Sequence, residues 1–108
     1  MNTSNPSTHL IRLEGRLDAN RVINHADSLL AQVPEQTKGL IINLSKVTFI
    51  DSSGLGYLVS VFRQCESANR KLAICEPTDQ ARMLFELTRM HQIFSIYDHE
   101  ETALKQLF

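Results

Sequence analysis

The chain has 108 residues, 43% hydrophobic and 21% charged, an ordinary balance for a single globular domain and not that of a disordered chain. Eleven Lys and Arg against twelve Asp and Glu leave a net charge of −1, so the basic surplus that binds nucleic acid or an anionic membrane is missing. No apolar run approaches the ~20 residues of a membrane span, and the start Met1-Asn2-Thr3-Ser4-Asn5-Pro6 lacks the basic and apolar regions of a signal peptide.

Cys65 and Cys75 are too few and too far apart for a disulfide scaffold, a CxxC redox pair or a zinc cage. The expectation is a reduced, cytoplasmic protein with no metal, no cofactor and no membrane insertion. Without Trp and with only four Gly, the chain also lacks the makings of an aromatic sugar platform or a glycine-rich phosphate cradle.

Residues 1–8 are polar and contain Pro6, so they read as a loose or irregular start, and residues 9–108 as one domain. From His9 to Leu17 the residues alternate, which predicts a strand with Gly15 marking a bulge or a close approach. Val22, Ile23, Ala26, Leu29, Leu30 and Val33 then recur at helical spacing. Asp18 or Asn20 is placed to cap that helix, and Pro34 ends it.

Gly39–Ile50 is the most apolar stretch. Leu40, Ile41, Ile42 and Leu44 run almost without a break, as a strand covered on both faces should. After Asp51-Ser52-Ser53-Gly54-Leu55-Gly56 the period changes to helical, with Leu55, Leu58, Val59, Phe62 and Cys65 on the inner face. Lys71–Glu76 reads as a strand. Thr78 or Asp79 opens a third helix with Met83, Leu84, Leu87 and Met90 inward, and Phe85, Phe94 and Phe108 are core candidates. Ile93–Tyr97 is a short strand. Asp98 with Glu101 resembles a capping box ahead of a last helix that buries Ala103, Leu104, Leu107 and Phe108. The alternation β-α-β-α-β-α-β-α argues for one α/β sheet with helices packed on it.

The segment from Asp51 to Gly56 is the informative one. It lies where an apolar strand ends and a helix begins, the place at which ligands gather in open α/β sheets. A helix N-terminus presents unpaired N–H groups and about +0.5 elementary charge, so it accommodates a phosphate. Ser52 and Ser53 are therefore plausible phosphoacceptors, and a phosphoserine adding about −1.5 to −2 charge would disrupt a partner pressed against this point. Serine is also a preferred cap, and glycine is common in such turns, so spacing alone leaves the plain capping role ahead.

Other chemistries fit less well. A receiver-domain aspartate at Asp51 would need an acidic pair after the first strand and a Lys after the last; here only Asp18 and Asp98-His99 stand there. A serine hydrolase would need a Gly two residues before Ser52. His9, His25, His91 and His99 are scattered without ligand spacing, and Cys65 and Cys75 read as small buried hydrophobes.

The run Leu-Ile-Ile-Asn-Leu over 40–44, followed by Phe49-Ile50-Asp51-Ser52-Ser53-Gly54-Leu55-Gly56, closely resembles the STAS domain of bacterial anti-sigma-factor antagonists. Leu13-Glu14-Gly15-Arg16-Leu17-Asp18 is similar to that family's first conserved strand end, and the later strand and helix spacing fits over roughly residues 9–108.

The resemblance implies a STAS-like α/β fold, a mixed β-sheet of about four to five strands with about four helices. It implies a non-enzymatic regulator that binds an anti-sigma-factor-type serine kinase, is phosphorylated by it, and is reset by a PP2C-type phosphatase. The acceptor maps to Ser52, with Ser53 second. Asp18, Asp51, Ser52, Ser53, Gly54 and Leu55 are carried over as the partner surface. Family members usually have a further strand before the first one read here, where only residues 1–8 are available; an open sheet edge there leaves a monomer or weak dimer as the expected state. The alternative is a STAS subunit held constitutively in a membrane ABC transport complex.

Overall fold

The computed structural model describes residues 7–20 and 29–107. Its elements are strands β1 (Thr8–Leu17) and β2 (Gly39–Ile50), helix α1 (Ser52–Ser67), strand β3 (Lys71–Cys75), helix α2 (Asp79–Leu87), a 3-10 turn at Met90–Gln92, strand β4 (Ser95–Tyr97) and helix α3 (Glu100–Gln106). The helix expected between Asp18 and Val33 lies mostly outside the described residues; positions 19–20 and 29–31 are helical. Residues 1–6, His25 and Phe108 also lie outside them.

The strands pair in the order β1-β2-β3-β4, and every pairing is parallel. The sheet expected was a mixed one. Among the described residues it is four-stranded and parallel throughout, because each successive pair is joined by a crossover and none by a hairpin. The register of β1 against β2 shifts between Arg12 and Glu14 and again between Gly15 and Arg16. Gly15 has φ +79°, a conformation that suits glycine at a bulge. Strand β1 begins one residue before the expected start, and the Ser7 carbonyl accepts from the N–H groups of Lys38 and Gly39.

Strand β2 is central, and its first six residues, Gly39 to Leu44, are buried on both faces, whereas Ser45, Lys46 and Thr48 are exposed. Leu40, Ile42, Leu44, Val47 and Ile50 join the main core with residues of α1 and α2, among them Leu58, Val61, Ala81 and Phe85. Ile41 faces the other side, against Ala73, Cys75, Ala103 and Leu107. Thus α1 and α2 cover one face and α3 the other. Phe94 binds the first layer together, edge-on to Phe62 at 5.9 Å and to Phe85 at 5.8 Å between ring centroids, a favoured aromatic arrangement.

Three helix readings change. In α2 the buried residues are Ala81 and Phe85, while Met83 and Leu87 are 62% and 77% exposed. The inward row is 81, 84, 85; it shares Leu84 with the expected row, Met90 just beyond the helix also packs against the core as expected, and the large Phe85 ring decides the rotation of the helix. In α3 the N-cap is His99, and it makes no side-chain capping bond. The Glu100 N–H donates instead to Glu76 Oε2 at 2.9 Å, so a carboxylate from the end of β3 does the work that Asp98 was expected to do. In α1, Tyr57 and Val61 join the buried face, and Val59 and Phe62 sit at its border.

Candidate functional site

The end of β2 and the start of α1 are held by three contacts. The first is the cap. Asp51, extended at φ −114° and ψ −170°, is the N-cap of α1, and its Oδ1 accepts from the Gly54 N–H at 3.0 Å. The carboxylate satisfies a helix donor that has no partner within the helix. Capping therefore belongs to Asp51 and not to either serine. Ser52 is the first residue of α1 and exposed, and Ser53, the second, is half-buried. Among the described residues neither hydroxyl makes a hydrogen bond. The first turn of α1 contains no acidic side chain, so within the helix and its cap the partial positive charge is met by Asp51 alone.

The second contact is a close backbone approach. A Cβ on Gly54 would lie 2.1 Å from the Leu17 carbonyl oxygen and 2.8 Å from Ile50 Cγ1. Glycine here lets the first turn of α1 rest on the end of β1. The Asp51 N–H points at the same Leu17 oxygen, 3.4 Å away.

The third contact was invisible in the sequence. Gln80 on α2 accepts from the Ile50 N–H through Oε1 at 2.9 Å and donates through Nε2 to the Ile50 carbonyl at 2.8 Å. No spacing rule marks a glutamine for this role, because its target is backbone.

Of the six residues carried over, Asp51, Ser52, Ser53, Gly54 and Leu55 are contiguous, and Asp18 stands directly after Leu17, whose carbonyl meets Asp51 and Gly54. Asp18 pairs with Arg16 at 3.1 Å, and the Arg16 guanidinium lies 4.5 Å over the Phe49 ring, a cation–π contact. Gly54 and Leu55 are buried, so the accessible surface of the site is supplied by Asp18, Asp51, Ser52 and Ser53.

A polar groove of about 810 Å³ runs along α3, lined by Arg12, Asn43, Lys46, Glu76, Glu100 and Lys105 among others. Arg12, Asn43, Glu76 and Glu100 are engaged with each other. Arg12 and the nearly buried Asn43 both donate to Glu100, at 3.0 and 2.8 Å, and Glu76 holds the Glu100 N–H. Cys75, Glu76 and Glu100 bring their ligand atoms within 4.8 Å of one another. However, burial, reinforced by Glu100 and Glu76, pushes the Cys75 thiol up to about 12. A protonated thiol and two carboxylates already bonded to backbone and side chains are a poor donor set for a metal; the cluster secures α3. Burial likewise raises the Cys65 thiol.

No helix among the described residues is long and apolar enough to cross a membrane.

Comparison with known proteins places this geometry in a family. The model of the STAS domain matches residues 1–103, and the chain belongs to the STAS domain family. The anti-sigma F factor antagonist of Paenibacillus polymyxa is 27% identical over 103 residues, covering 91% of this chain and 85% of that protein.

Among solved structures, a sulfate transporter family protein from Wolinella succinogenes superposes with a TM-score of 0.82 at 18% identity, over 96% of this chain and 87% of that one. The anti-sigma factor antagonist SpoIIAA in its unphosphorylated form gives 0.74 at 24% identity, over 92% of this chain and 86% of that one. The phosphorylated form of SpoIIAA gives 0.66 at 22% identity, over 99% and 96%. The fold is therefore shared with an anti-sigma factor antagonist and with a sulfate transporter family protein.

Proposed function

We propose that this protein is a phosphorylation-gated partner switch. Unphosphorylated, it binds an anti-sigma-factor-type serine kinase and releases that kinase's client. Phosphorylated on Ser52, it lets the kinase go, and a PP2C-type phosphatase restores it. The protein does no catalysis itself.

The observation that carries this reading is the division of labour between Asp51 and Ser52. Asp51 caps α1, so the exposed Ser52 hydroxyl is left without a structural task at the first position of a sixteen-residue helix. A phosphate there meets free N–H groups and the positive end of the helix dipole, so modification leaves the fold intact while changing the charge of the surface by about −1.5 to −2. The antagonists among its relatives and the two phosphorylation states recorded for SpoIIAA support the same reading.

The test is capture from lysates of the protein's own cells with wild-type, Ser52→Ala and Ser52→Asp baits, and with phosphoprotein made at Ser52. Wild type and Ser52→Ala should retain a histidine-kinase-like ATPase, and Ser52→Asp and the phosphoprotein should not. Equal retention by the phosphoprotein would overturn the switch. Constant co-purification with a membrane ABC transporter ATPase, whatever the state of Ser52, would establish the constitutive transport subunit instead.

A further inference from the structure

Strand β3 ends at Cys75, whose partner on β2 is Asn43, yet β2 continues to Ile50. On that side its last residues have no strand beside them among the described residues. Ile50 is fully buried, and a buried N–H or C=O left unpaired is costly. A primary amide carries the same donor and acceptor as a peptide unit. The Gln80 carboxamide meets the Ile50 N–H at 2.9 Å and the Ile50 C=O at 2.8 Å, and so stands in for the missing strand.

Gln80 lies in the first turn of α2, whose cap Thr78 accepts from the Ala81 N–H. Its own backbone is thus fixed by a separate capped helix. Ile50 immediately precedes the capping residue Asp51, and Ser52 follows.

We propose that Gln80 is the positioning residue for the phosphoacceptor: it anchors the β2–α1 junction to α2, and so sets the place at which Asp51 caps α1 and Ser52 is presented. This rests on the reading of Ser52 as the phosphoacceptor. Among the described residues Gln80 makes no hydrogen bond to either serine; it acts through the backbone of Ile50.

The experiment has two arms, both on the full chain. The first is amide hydrogen exchange by NMR on wild type, Gln80→Ala, and Ala103→Gly as a destabilising control on the opposite face of the sheet. Gln80→Ala should speed exchange at Ile50 and Gly54 by about tenfold or more relative to Ile42 and Ile74, the factor that follows from losing one or two net hydrogen bonds locally. Ala103→Gly should leave those ratios unchanged. The second arm is phosphate occupancy at Ser52 in the protein's own cells, by peptide mapping. Gln80→Ala should lower it several-fold at equal protein level.

Unchanged exchange ratios would overturn the positioning role, and so would full Ser52 occupancy in Gln80→Ala. If wild type never carries phosphate at Ser52, the switch reading fails and this proposal fails with it, but the exchange arm still shows whether Gln80 holds the junction.

Discussion

Replacing Gly54 by Ala sets two physical effects against each other. Helix propensity favours Ala over Gly by up to about 1 kcal/mol, so a reading of local sequence expects stabilisation. The packing predicts the reverse. The added Cβ would sit 2.1 Å from the Leu17 carbonyl oxygen and 2.8 Å from Ile50 Cγ1. The first of these is backbone, so no rotamer change relieves it; the start of α1 and the end of β1 must part by roughly 1 Å to reach ordinary carbon–oxygen contact. Overpacking of this kind costs about 1–3 kcal/mol, and a backbone clash belongs at the upper end. Net of propensity, Gly54→Ala should destabilise by about 2 kcal/mol, which for a domain of this size lowers Tm by about 10 °C.

Gly56 is the internal control. It lies in the same helix, and a Cβ there meets nothing within 4 Å, so Gly56→Ala should stabilise by about 0.5–1 kcal/mol. Urea and thermal unfolding of the two variants read the signs directly. A Gly54→Ala protein as stable as wild type would refute the close approach of α1 to β1 on which the geometry of the site depends.

Asp51→Ala should cost about 0.5–2 kcal/mol through loss of the cap, and Asp51→Asn much less; Ser52→Ala should stay within about 0.5 kcal/mol, and chemical denaturation separates the three. For Cys75 the folded thiol keeps its proton up to about 12, against an ordinary value of 9.0. The unfolded chain loses that proton first, so stability falls as pH rises from about 9 towards about 12, by up to about 1.4 kcal/mol per pH unit. Cys75→Ala should show a correspondingly shallower alkaline slope in unfolding free energy. Asn43→Ala should cost about 1–3 kcal/mol, because it leaves Glu100 and the Ser45 N–H short of a partner at a site 3% exposed; urea melts check this.

The parts of the fold that were legible in the sequence are those with a strong local signal. The almost continuous apolar run at the start of β2 gave away a doubly covered strand, Gly15 a bulge or close approach, Thr78 or Asp79 a cap, and Asp51 to Gly56 a strand-to-helix junction. What the sequence hid was decided at a distance. The rotation of α2 follows from where Phe85 finds Phe94, not from its own periodicity, since two apolar rows pass through Leu84. The start of α3 is capped from β3 by Glu76, which sits at φ +53°, and no neighbour in sequence announces it. Three residues at the junction, Asp51, Ser52 and Ser53, all have capping side chains, and only the backbone shows that the aspartate takes the role. Gln80 is the extreme case, a polar residue on a helix whose partner is the main chain of a strand thirty residues earlier.

The proposed switch turns on Ser52. The most direct measurement is intact-mass and peptide-mapping spectrometry of the protein isolated from its own cells, beside a phosphatase-treated control. A switch at Ser52 requires a single phosphate, removed by the phosphatase and located on Ser52. A phosphate confined to Ser53, or none under any growth condition, would contradict it.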